Sequence, residues 1–96
     1  MKNYTNKTSL DYHKRQLQQP YESTYQLVKF ASQFLEGDDI KNILDIACGS
    51  GINIIELSKI YKGLNYVGID ISKEAIDLGR NYIKNNGFKN IKLLEG

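Results

Sequence analysis

Residues Ile43–Leu57 read ILDIACGSGINIIEL: an apolar run that passes through a small-residue bend and continues straight into a helix-like pattern. The first part, Asn42 to Ala47, is short and rich in isoleucine and leucine, the composition of a strand buried on both faces of a parallel sheet. Ile54, Leu57 and Tyr61 then recur at helical spacing until Lys62-Gly63, which predicts a helix. Between these elements Gly49 and Gly51 permit positive φ and let a ligand approach backbone where a Cβ would intrude. In an open parallel sheet ligands bind beyond the carboxyl ends of the strands, so Asp45 to Gly51 is the expected rim of a small-molecule crevice.

Downstream, Leu64 to Asp70 carries Tyr66, Val67 and Ile69 and predicts a second strand. Ser72 is placed to cap a helix in which Ile76, Gly79 and Ile83 share a face, with Asn85-Asn86-Gly87 as its stop. Gly79 costs that helix about 1 kcal/mol relative to alanine, and a close approach between helix and sheet would account for it. Asn90 to Leu94 predicts a third strand. Strand, helix, strand, helix, strand implies right-handed crossovers feeding a parallel sheet.

Upstream, Pro20 stands where a helix would begin and Gly37 where it would end. Between them Tyr21, Tyr25, Val28 and Leu35 fall on one face, with Phe30 and Phe34 nearby. A turn is expected at Gly37-Asp38-Asp39. Residues 1–19 have no sustained period; Leu10, Tyr12 and Leu17 fit either a short packed helix or an arm.

The 96 residues suit one domain, with 41% hydrophobic and 25% charged residues, as in globular proteins. No run approaches the roughly 18 apolar residues of a membrane span, and MKNYTNKTSL lacks the apolar stretch of a secretion signal. The expectation is a cytoplasmic protein with no membrane partner. A net charge of +2, with basic residues dispersed, does not indicate a nucleic-acid partner. The local basic cluster of Lys2, Lys7, Lys14 and Arg15 reads as solvated surface. Cys48 is the single cysteine, which excludes an internal disulfide and a cysteine-rich metal site and reads as a small buried hydrophobe. No metal site is expected.

Asp70 is the second marker of a site. It ends the second strand, where a carboxylate can accept hydrogen bonds from the vicinal hydroxyls of a ribose. The small-residue bend and Asp70 together indicate an adenosine-like ligand. A dinucleotide fingerprint, G-x-G-x-x-G, has Ala47, Gly49 and Ile52 in its three slots here, so an NAD-binding module is the weaker alternative. Gly-Lys-Ser/Thr is absent, which excludes a phosphate-cradling P-loop.

DIACGSG followed by VGIDIS resembles the first two motifs of the class I S-adenosylmethionine-dependent methyltransferases. Ala47 departs from that pattern, where glycine is commoner. The resemblance implies a Rossmann-like, three-layer α/β fold with a parallel sheet of order 3-2-1, preceded by a helix. In that reading residues 1–19 are an arm or short helix, and 20–96 are a partial methyltransferase domain of helix plus βαβαβ.

The resemblance also implies S-adenosyl-L-methionine as cofactor. It makes Asp45 the residue that steadies the loop and meets the methionine amino group. Ala47, Gly49 and Gly51 would present backbone to the methionyl part, Asp70 would bind the ribose and Ile71 would pack on adenine. No catalytic residue is assigned. A sulfonium ligand has no phosphates, which suits the missing glycine at Ile52. Of the family's seven strands this chain supplies one half, so the methyl acceptor is unknown and its pocket is not expected here. The first strand's apolar edge, Ile43, Leu44, Ile46 and Ala47, predicts self-association or cover by another segment. A truncated, non-catalytic cofactor- or partner-binding module is the alternative function. Among N-terminal residues Tyr12, His13, Arg15 and Tyr21 are candidates for chemistry; His13 reads as a surface residue and Tyr21 as core or lid packing.

Overall fold

The computed structural model describes residues 6–35 and 39–96. Two helices, α1 (Asn6–Gln18) and α2 (Glu22–Leu35), precede the alternating unit β1 (Asn42–Ile46), α3 (Ile52–Ile60), β2 (Asn65–Asp70), α4 (Lys73–Asn85) and β3 (Ile91–Glu95). The three strands form one parallel sheet in the order β1-β2-β3, with Asp45 opposite Gly68 and Asp70 opposite Glu95. The expected parallel sheet is therefore present, with each boundary within two residues of the sequence pattern.

Local chemistry accounts for the element ends. The Ser72 hydroxyl accepts from the Ala75 amide at 3.2 Å and caps α4. Gly87, at φ 73°, follows α4, and the Phe88 amide closes back on the Ile83 carbonyl at 3.1 Å. The stop expected at Gly37-Asp38 lies outside the described residues.

Both α3 and α4 cover the same face of the sheet, as two right-handed crossovers advancing in one direction require. Leu93 of β3 is the shared contact: a Cβ at Gly51, which begins α3, or at Gly79 in α4 would meet its side chain. The core between them holds Ile54, Ile55, Tyr66, Ile76 and Leu93, all buried. Gly79 is a close approach to the sheet, as expected, and also to the loop: a Cβ there would press on Leu93 and overlap the Ser50 carbonyl oxygen. The Tyr66 hydroxyl donates to the Tyr61 carbonyl at 2.7 Å, and α2 docks on α3 with Val28 and Thr24 buried.

Two expectations need correction. β1 is not buried on both faces: Leu44 and Ile46 are 60% and 73% exposed. Their side chains lie on the sheet face opposite α3 and α4, which the described residues leave uncovered. In α2, Tyr25, Phe30 and Phe34 are also exposed, because α3 meets only the stripe that includes Thr24, Val28 and Ala31. The segment before Pro20 is helical from Asn6 and packs on α4, burying Leu17 and Gln16.

Candidate functional site

The bend after β1 is a run of alternating left-handed residues: Ala47 at φ 63°, Gly49 at φ 60° and Gly51 at φ 88°. This alternation explains the small-x-small-x-small spacing, since larger side chains resist that region of φ. Ala47 is the one non-glycine at positive φ among the described residues. The Cys48 amide extends the β1–β2 ladder by donating to the Ile69 carbonyl at 3.0 Å, and the turn is closed by the Gly51 amide donating to the Cys48 carbonyl at 2.9 Å. Gly51 then opens α3 without a side-chain cap, so no side chain satisfies the first-turn amides.

Asp70 ties this bend to the next one. One carboxylate oxygen accepts from the Gly49 amide and the other from the Ser72 amide, each at 2.8 Å. Both bonds involve an ionised acceptor and are accordingly strong. They hold the ends of β1 and β2 in one frame.

A cavity of about 430 Å³ opens over this frame, and Ala47, Gly49, Ser50 and Asp70 face it. α1 and α2 close its other side with Tyr12, His13, Gln16, Thr24 and Leu27. Here the surface reading of His13 is overturned. Its ring lies against Gly49, with Cε1 2.9 Å from where a Cβ of that residue would stand. Burial lowers the imidazole pKa below its ordinary value, against the opposing pull of Asp70. Tyr12 meets the ring edge-on at 5.2 Å, and Tyr21 packs on Tyr12 while Arg15 lies 4.8 Å over the Tyr21 ring. Gln16 is buried but satisfied, donating to the Tyr12 hydroxyl and accepting from the Tyr21 amide.

Asp45 lines a smaller adjoining groove of about 250 Å³, which shares Leu27 and Asn53 with the main cavity. Its Oδ2 is buried and has no hydrogen-bond partner, and the Ser50 hydroxyl is in the same condition. Burial, and then the Asp70 charge, raise the Asp45 pKa above its ordinary value. Cys48 is buried as expected, and burial with two nearby carboxylates pushes its thiol up to about 11, which disfavours the thiolate at neutral pH.

Of the six residues singled out in the sequence, the structure thus brings Ala47, Gly49 and Asp70 to one cavity. Gly51 turns its open side to Leu93, Asp45 borders the adjoining groove, and Ile71 projects from the β2 end at 85% exposure. Of the N-terminal candidates Tyr12 and His13 do line the cavity, whereas Gln16 was not singled out; the clue available was the polar trio Tyr12, Gln16 and Tyr21, at spacings that let Gln16 bond both tyrosines. No helix is long and apolar enough to cross a membrane, and no cluster of metal-ligating side chains occurs, among the described residues.

The ribosomal protein L11 methyltransferase of Caldanaerobacter subterraneus subsp. tengcongensis is 37% identical over 76 residues, covering 75% of this chain and 24% of that protein. The structure of PKMT2 from Rickettsia typhi in complex with AdoHcy superposes with a TM-score of 0.55 at 32% identity, covering 58% of this chain and 11% of that one. The fold is shared with coclaurine N-methyltransferase bound to N-methylheliamine and SAH, at a TM-score of 0.67 and 15% identity over 78% of this chain and 22% of that one. The chain spans a quarter or less of the length of these proteins. The family described as the methyltransferase domain matches residues 38–96, which include the whole strand–bend–helix unit and Asp70. With more than half of its length in that match, the chain belongs to the methyltransferase-domain family.

Proposed function

We propose that this chain is the donor-binding half of an S-adenosylmethionine-dependent methyltransferase, with residues 20–96 forming the half-domain and the preceding helix its cap. The observation that carries the reading is the Asp70–Gly49 hydrogen bond, which joins a bend of left-handed small residues to a strand-end carboxylate. When bound, the cofactor supplies a methyl group already activated on a sulfonium.

The residues present fit such a ligand. Each Asp70 oxygen accepts one backbone amide and retains capacity for a ribose hydroxyl. The orphaned Asp45 Oδ2 lacks a donor, which the ammonium of the methionyl part would provide. Ala47 and Gly49 offer backbone at the methionyl end, Gly51 supports the bend from the Leu93 side, and the exposed Ile71 is available to cover adenine. Methyl transfer is a displacement governed by alignment of donor and acceptor, so these residues contribute by fixing the donor. Holding the acceptor is assigned to residues other than these. Calorimetric titration tests the reading: S-adenosylhomocysteine is expected to bind and NAD is not. NAD binding without S-adenosylhomocysteine binding would overturn it.

A second role is supported by the uncovered sheet face, where Leu44, Ile46 and Leu94 are exposed. That face is proposed to associate with a second copy of this chain. Light scattering across a concentration series is expected to show mass above the monomer, and a monomer throughout overturns it.

A further inference from the structure

The cavity over Gly49 has a wall that the strand-and-bend motif does not provide. α1 lays the His13 ring on the open side of Gly49, the residue at the methionyl end of the proposed site. Edge contact with Tyr12, itself packed on Tyr21, fixes the ring's direction. The titratable groups facing the cavity are few. Beside His13, α1 contributes Tyr12, the bend contributes the Cys48 thiol and β2 contributes Asp70, while α2 contributes none. His13 is therefore the one lining side chain, among the described residues, able to become a cation. Arg15 does not face the cavity and is stacked on Tyr21. An amino-acid ligand end carries a carboxylate as well as an ammonium, and Asp45 and Asp70 answer only donors.

We propose that His13 is a specificity-determining residue of the cofactor site, holding the ligand's α-carboxylate as an imidazolium against the Gly49 backbone; this rests on the S-adenosylmethionine reading above. The ring takes one proton from solvent when the carboxylate arrives, and the charge-assisted hydrogen bond then replaces the water that served each partner. In the free chain burial keeps the ring's pKa low, while Asp70 opposes that effect. A carboxylate at the ring reverses the balance, so affinity for the ligand rises as pH falls through the ring's bound value and levels off below its lowered free value.

The chain has a single histidine, so its imidazole gives one signal in a proton NMR titration of the unmodified protein. The midpoint is followed with no ligand, with S-adenosylhomocysteine, and with 5′-methylthioadenosine, which keeps the nucleoside and sulfur but lacks the amino acid. The expected result is a rise of about one unit with S-adenosylhomocysteine and no rise with 5′-methylthioadenosine. In calorimetry His13→Gln is expected to weaken S-adenosylhomocysteine about tenfold and 5′-methylthioadenosine less than about twofold. A midpoint unmoved by S-adenosylhomocysteine, or equal weakening of both ligands, overturns the role of His13 while leaving the cofactor reading intact. Failure of both ligands to bind the unmodified chain overturns the cofactor reading, and this inference with it.

Discussion

The Asp70 carboxylate accepts the Gly49 amide at 2.8 Å, so the two sequence markers of the site are joined directly rather than through a ligand. The second oxygen of the same carboxylate is held by the Ser72 amide. Asp70 is thus a structural clamp between two bends before it is a binding group. Asp70→Asn leaves one acceptor and sets an amide group against a backbone donor, with an expected stability loss of about 1–3 kcal/mol. Urea unfolding of the free chain checks this; an unchanged midpoint would mean the clamp does not hold the bends.

Ala47 adopts φ 63°, a region that costs an alanine roughly 1–2 kcal/mol. Glycine there relieves the strain but adds freedom to the unfolded chain, which offsets part of the gain. Ala47→Gly is expected to stabilise the protein by about 0.5–1 kcal/mol, read as a higher denaturation midpoint with an unchanged slope.

Gly79 is required by contact rather than by conformation. The Cβ of Gly79→Ala would overlap the Ser50 carbonyl and press on Leu93. A backbone carbonyl inside the bend has little room to retreat. The expected cost is about 2–3 kcal/mol, despite alanine's better helix propensity, and thermal unfolding measures it.

Asp45 and His13 oppose each other in their pH dependence. Folding raises the Asp45 pKa above its ordinary 3.8, so the folded chain binds that proton more readily. Its contribution to stability is present at low pH and is lost as pH rises through the folded value. Folding lowers the His13 pKa below 6.5, so its contribution is present above that pH and is lost as pH falls through the folded value. Asp45→Asn is expected to stabilise the free chain at neutral pH by a few tenths of a kcal/mol after solvent screening. The same change is expected to weaken S-adenosylhomocysteine binding. A loss of stability at neutral pH would contradict the strained-carboxylate account.

The strands and α4 were legible because branched residues, a serine cap and an Asn-Asn-Gly stop act locally. Burial of β1 was not, because Leu44 and Ile46 record a preference for cover without recording whether cover exists. α1 carries mostly polar residues and is held by a few contacts, with Leu17 in the core and Gln16 bonded to both neighbouring tyrosines. Its docking on α4 is a tertiary event, so no short-range pattern reveals that His13 faces Gly49. Gly79 was legible as a close approach, but its partner, the Ser50 carbonyl, follows only from the folded bend.

The most direct test of the central claim is amide mapping of the folded chain by nitrogen-15 NMR with S-adenosylhomocysteine. The account predicts saturable shifts concentrated at Ala47 to Gly51 and at Ile71 and Ser72, with smaller changes in β3. Absence of saturable shifts there, or shifts confined to the opposite end of the sheet around Lys62 and Asn90, would contradict it.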